Sequence, residues 1–246
     1  MSLLCKKVLE LTVGYKANIL RMSLVLIKNK IREVKMKLQG KTINFLGDSI
    51  TEGHGTSDSS KRFTALIEKR CGLKKANNYG IGGTRFAKQF KPSENPLFDK
   101  DFCGRVWEMD KNADIVVVFG GTNDYGHGDA PFGSFSDRTK DTFCGACHQL
   151  MRDLVRIYTG KPIVIITPLH RLYEEREDGE NLENYVDIIK KTAKYYSLPV
   201  LDFFAESGIQ PCVDEVREKL CPDGLHPNDE GHEIMAEKII SFLERI

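Results

Sequence analysis

Ile115-Val116-Val117-Val118-Phe119 constrains this 246-residue chain more than any other run: five consecutive apolar residues, four of them β-branched. Branching at Cβ favours extended backbone, and a strand with no polar position must be covered on both faces. That is the environment of a parallel sheet between two layers of helices, which makes an α/β fold the expectation. Further strands are expected at 42–46, 76–79, Ile163 to Thr167 and Val200 to Phe203, about five in all. Helical spacing of apolar residues predicts helices over about 60–71, 139–158, 181–196 and 229–245, alternating with the strands. Gly72 and Gly160 stand where helix C-caps belong.

The chain is long enough to bury one substantial core as a single domain. Its formal net charge of +1 argues against a whole-molecule nucleic-acid binder, but the charge is uneven. Residues 1–40 hold nine Lys/Arg against Glu10 and Glu33, a net +7, which leaves 27 basic and 33 acidic residues, a net −6, in the remainder. Residues 1–38 therefore read as a basic amphipathic arm, with 39–246 as the domain. The arm would suit a membrane surface or a docking partner, or Met36 is the natural start. Seven cysteines (5, 71, 103, 144, 147, 212 and 221) show no regular framework and read as reduced, mostly buried thiols in a cytoplasmic setting. No stretch approaches the ~18 apolar residues of a membrane span, and no secretory leader is expected.

Four short blocks carry the candidate chemistry. Gly47-Asp48-Ser49 follows the first strand, where the carboxyl edge of an α/β sheet receives ligands. Ser49-Ile50-Thr51-Glu52 also matches the S-x-x-E capping box, which would make Ser49 a helix N-cap. Asn78-Tyr79-Gly80-Ile81-Gly82-Gly83 follows the second strand and lets backbone N–H groups approach a ligand, or forms a plain tight turn. Gly120-Gly121-Thr122-Asn123-Asp124 follows the third strand and offers a side-chain amide. Asp223-Gly224-Leu225-His226-Pro227 supplies a carboxylate within one turn of an imidazole, the pair needed to activate a hydroxyl. His148 and His232 lie in helical patterns and read as structural. His54, His127 and His170 fall on expected loops at the ligand edge, and residues 125–138 read as a turn-rich connection that shapes a substrate site. The charged runs 171–180 and 214–219 read as solvated.

In this order and spacing the blocks resemble the SGNH-hydrolase superfamily, the GDSL-type lipases and esterases, over Lys41 to Ile246. The resemblance implies a flavodoxin-like three-layer α/β/α sandwich and ester hydrolysis without a metal or organic cofactor. It implies Ser49 as nucleophile, His226 as general base and Asp223 as the acid that orients it. The Ser49 and Gly83 N–H groups and the Asn123 amide are then the oxyanion hole, with Gly82 competing for the place of Gly83. Asp48, Gly82, Asp124, His127 and His170 are the candidate substrate contacts.

The expected activity is hydrolysis of carboxylic esters through an acyl-enzyme, on small-molecule or carbohydrate esters of short acyl groups, O-acetyl among them. Alternatives are a lipase or lysophospholipase, or a non-catalytic sugar- or ligand-binding module on the same scaffold. Cys144-Gly145-Ala146-Cys147-His148 matches the c-type haem pattern and the C-x-x-C redox spacing, but it sits inside a helical stretch and reads as coincidence.

Overall fold

The computed structural model describes residues 37–176 and 180–246. The basic arm and the Met36 start therefore lie outside the described residues, apart from Lys37 and Leu38 at the arm's expected end. Leu38 is buried in the core.

Five parallel strands form one sheet in the order β2-β1-β3-β4-β5: β1 Thr42–Gly47, β2 Lys75–Gly80, β3 Ile115–Phe119, β4 Ile163–Ile166 and β5 Val200–Leu201. This 2-1-3-4-5 order is the flavodoxin-like winding, and it places a topological switch between β1 and β3, where ligands bind beyond the carboxyl ends. The strand period of two then divides the core. Ile43, Phe45, Ile115, Val117 and Phe119 pack on one side with Phe63, Ile67, Met235 and Ile239. Leu46, Val116, Val118 and Ile165 pack on the other with Phe86, Phe102, Leu150, Leu154 and Ile189. The three-layer α/β/α sandwich expected from the unbroken apolar strands is thus present.

The helices are α1 Ser49–Glu52, α2 Phe63–Cys71, α3 Phe102–Arg105, α4 Thr122–His127, α5 Phe143–Ile157, α6 Leu182–Tyr195, α7 Phe203–Glu206, α8 Asp214–Leu220 and α9 Asp229–Leu243. α2 packs with α9, and α5 with α6.

Polar caps trim several expected elements. Thr142 accepts the Gly145 N–H, so α5 starts at Phe143 rather than 139. Asn181 and Asn184 cap α6 reciprocally, and Asn228 caps α9. Asp202 accepts the Ala205 N–H and turns the chain into α7, so the last strand stops at Leu201 instead of reaching Phe203. Arg62 is extended, which separates the turn Ser59–Lys61 from α2. The 171–180 run is not simply solvated: the Arg171 guanidinium donates to the Thr122 carbonyl at 3.1 Å and lies 5.5 Å from the Tyr125 ring centre. No helix among the described residues is long and apolar enough to cross a membrane.

Candidate active site

β1 delivers the chain to Gly47, and Asp48 then caps α1 by accepting the Ile50 N–H at 3.0 Å. Ser49 is therefore the first residue of the helix and not its cap, so the capping-box expectation fails. Asp48 holds the cap position, and Glu52 turns elsewhere. Freed from that duty, the Ser49 hydroxyl lies 2.9 Å from His226 Nε2 across 177 residues of sequence.

The bonding around His226 fixes its tautomer. Its Nδ1 is 2.6 Å from Asp223 Oδ2, and a carboxylate there accepts, so Nδ1 carries the proton. Nε2 then presents its lone pair to the Ser49 O–H. Asp223 Oδ1 accepts the backbone N–H groups of His226 at 2.7 Å and Leu225 at 2.9 Å. Burial acts to raise the Asp223 carboxyl, but these backbone bonds and the His226 ring outweigh it and hold the group below the usual carboxylate value. The Leu172 N–H donates to the Gly224 carbonyl at 2.8 Å, tying this loop to the segment after β4.

The two glycines of the second block differ in their bonding. The Gly82 N–H is taken by Glu52 Oε2 at 2.6 Å, whereas the N–H groups of Gly83 and Ser49 have no partner among the described residues. Gly83 has a φ of +71°, the left-handed region, and a Cβ there would press on Phe98 Cγ at 3.2 Å. The Asn123 amide donates from Nδ2 to the Thr84 carbonyl at 3.0 Å and keeps one N–H in reserve.

The remaining candidates divide. Asp48 and Asp124 are 1% and 5% exposed. Asp124 accepts the Phe86 and Ala87 N–H groups, each at 2.9 Å, and joins the third block to the loop after β2. Burial pushes both carboxyls up to about 7. They are buried scaffold beneath the site, not groups that face a ligand. His170 is bound to Glu174 at 2.8 Å and lies 3.9 Å from the Phe204 ring, so the structure does not bring it to Ser49. His127 ends α4 instead of lying on a loop, and both of its ring nitrogens are engaged, by Asn123 and Arg85. Gly82 is committed to Glu52. His54 is half-exposed, its ring centre 5.5 Å from that of His226.

Three residues hold the site together in ways the sequence does not signal: Glu52, expected in a capping box, and Arg105 and Arg85, which belong to no motif. Glu52 anchors Gly82. Arg105 donates to the carbonyls of Gly47 and Tyr79 and to Thr84 Oγ1, pinning together the ends of β1 and β2. Its buried guanidinium is pulled down to about 10 by desolvation, against which Asp48 acts. Arg85 donates to the Phe98 carbonyl at 2.9 Å. The four-residue step from Asn123 to His127 is the one sequence signal among the site contacts that went unused, because it places two side chains together only on a helix.

A cavity of about 370 Å³ opens beside α4, lined by Tyr125, His127, Arg171, Tyr173, Glu175 and Arg176 among others. Among the described residues, no group of three or more His, Cys, Asp or Glu side chains is gathered closely enough to hold a metal ion. Cys144 and Cys147 are buried on α5. Burial pushes the Cys144 thiol up to about 11 and the Cys147 thiol well above its ordinary value, the opposite of a reactive pair. His148 and His232 are fully buried, as their helical patterns suggest.

The model of the GDSL-like Lipase/Acylhydrolase family matches residues 45–234. Among solved structures, the chain is similar to a Lactobacillus plantarum protein at 26% identity and a TM-score of 0.74, covering 84% of this chain and 98% of that one. A lipase/acylhydrolase from Enterococcus faecalis shares the fold at 21% identity and a TM-score of 0.56, over 83% of this chain and 96% of that one. So does a two-domain esterase active on acetylated mannans, at 23% identity and a TM-score of 0.58, over 89% of this chain and 52% of that one. No curated protein gives a significant sequence match.

Proposed function

The chain belongs to the GDSL-like lipase/acylhydrolase family, whose members hydrolyse esters, and from that premise we propose that it is a serine esterase with Ser49 as nucleophile. The observation that carries this reading is the continuous bonding from Ser49 Oγ through His226 to Asp223, at 2.9 and 2.6 Å, in the polarity that proton removal requires. His226 takes the hydroxyl proton as Ser49 attacks the acyl carbonyl. Asp223 stabilises the resulting imidazolium, and the Ser49 and Gly83 N–H groups with the Asn123 amide receive the oxyanion. Each such donor is worth roughly 3–4 kcal/mol to the transition state. His226 then protonates the departing alcohol, activates a water, and the acyl-enzyme is hydrolysed.

The substrate is proposed to be a short-chain acyl ester of a hydroxyl-rich alcohol, O-acetylated carbohydrate included. The cavity beside α4 supports this, since arginine, histidine and tyrosine side chains suit a polar alcohol better than a long acyl tail. The activity of a structural neighbour on acetylated mannans supports it further. The test is hydrolysis of p-nitrophenyl acetate by the wild type and by Ser49→Ala, with fluorophosphonate labelling mapped by mass spectrometry. Turnover lost in the variant and a label on Ser49 are expected; turnover retained by a folded Ser49→Ala rejects the nucleophile.

A further inference from the structure

The side chains next to the Asn123 amide, buried Arg85 and solvent-exposed His127, form with it a chain of hydrogen bonds whose direction is fixed at both ends. Arg85 Nη1 lies 2.9 Å from His127 Nδ1, His127 Nε2 lies 3.1 Å from Asn123 Oδ1, and Asn123 Nδ2 donates to the Thr84 carbonyl at 3.0 Å. A guanidinium only donates and a carbonyl only accepts. His127 Nδ1 must therefore be the bare nitrogen and Nε2 the protonated one, and the Asn123 oxygen must face His127. No flipped amide and no other tautomer satisfies all three bonds. The first link is itself held: the Arg85 side chain is 3% exposed and lies 3.7 Å from Asp99, besides its bond to Phe98.

Resting on the serine-esterase reading, we infer that His127 is a positioning residue: its Nε2–H locks the Asn123 amide in the orientation that leaves one amide N–H for the oxyanion. Asn123 and His127 stand four residues apart on α4, so the helix itself sets their approach. A protonated imidazole would set a second N–H against the Arg85 guanidinium. In keeping with this, partial desolvation on its inner side, and after it the Arg85 charge, lowers His127 below the ordinary histidine value, although its outer side meets solvent. His127 is thus fully committed to its neighbours and acts on the reaction only through Asn123. A preorganised donor costs no reorientation when charge develops, whereas an amide free to rotate would present its oxygen to the oxyanion part of the time.

The test combines a double-mutant cycle with a spectroscopic readout. In the full-length wild type, histidine ¹⁵N–¹H correlation spectra should show His127 as the neutral Nε2–H tautomer at pH 7; an Nδ1–H tautomer or an imidazolium overturns the assignment whatever the activity. With p-nitrophenyl acetate, His127→Leu should lower kcat about 10- to 100-fold with KM held within about twofold, while His127→Gln, which restores a donor to Asn123, should recover most of the loss. In an Asn123→Ala background, His127→Leu should cost less than about twofold more. The same loss in both backgrounds, or wild-type turnover in folded His127→Leu, overturns this role alone. A wild type that neither hydrolyses the ester nor takes the fluorophosphonate overturns the esterase reading, and this role with it.

Discussion

The Gly82 N–H donates to Glu52 Oε2 at 2.6 Å, joining the last residue of α1 to the glycine turn after β2. The bond engages the Gly82 N–H and leaves that of Gly83, the proposed oxyanion donor, uncommitted among the described residues. It also fastens that turn to the short helix that begins with Ser49, which links the two backbone donors of the proposed oxyanion hole.

Glu52→Ala is expected to lower kcat for p-nitrophenyl acetate about tenfold, equivalent to ~1.4 kcal/mol of transition-state stabilisation, with KM little changed. Glu52→Gln, which keeps an oxygen acceptor for Gly82, should retain most of the activity. Steady-state kinetics on both variants checks this, and a fully active Glu52→Ala would detach the anchor from catalysis.

Asp223→Asn replaces the group that accepts the His226 Nδ1 proton with one that can offer its own N–H there. The imidazole then loses the preference that directs its Nε2 lone pair at Ser49. A drop in kcat of roughly 10⁴ is expected, with the folded structure retained. Kinetics alongside circular dichroism measures it; a loss below tenfold would mean that Asp223 does not govern the tautomer.

Stability carries the mark of the buried carboxyls. Asp48 and Asp124 titrate near 7 in the folded protein against an ordinary 3.8. Between those values the folded state holds protons that the unfolded chain has released, so their contribution falls as pH rises towards about 7 and is constant above it. The buried histidines act in the opposite sense, because His232, pulled down to about 4, stays neutral where an unfolded histidine is charged. Comparison with Asp48→Asn isolates one carboxyl. The variant should gain on the wild type from pH 5 to pH 7, by on the order of 1 kcal/mol per pH unit, in urea denaturation. A difference that stays flat with pH would contradict a neutral buried Asp48.

Gly80→Ala is expected to destabilise the fold by about 1–3 kcal/mol, since the added methyl would meet the backbone of Thr51 and Glu52 directly. A wild-type urea midpoint in this variant would show that α1 can withdraw from β2 without cost.

Alkylation of the native protein should modify the exposed Cys212 and spare Cys144 and Cys147 until denaturant is added. Peptide mapping gives the order of reaction. Rapid modification of both α5 thiols would reopen the redox reading of the C-x-x-C spacing.

The sheet was legible because its strands are either unbroken apolar runs or end in glycine blocks, both local signals. Helix starts were less so: Thr142 and Asp202 shift boundaries by capping, which apolar periodicity does not register. The capping-box pattern at 49–52 misled because Asp48, one residue earlier, takes the cap and leaves Glu52 to reach Gly82. Gly126 and Gly128 give the end of α4 the composition of a loop, which hides both the helix and its pairing of Asn123 with His127. Arg85 and Arg105 carry no motif at all. Their partners, such as Tyr79 and Phe98, are joined to them only by tertiary folding. His170 looked like a ligand contact from its place after β4, but a local Glu174 and the Phe204 ring claim it.

The 177 residues between Ser49 and His226 give the site a temporal order. At ribosomal speeds of about 5–20 residues per second, the hydroxyl emerges roughly 10–35 s before the imidazole that would activate it. Until α9 closes against α2 and seats the loop that bears His226, the nascent chain holds an inert alcohol, and any cut that releases the loop returns it to one. Under the proposed mechanism, turnover is therefore a direct gauge of completed assembly, sharper than helix content, because it would register only molecules in which both segments have met.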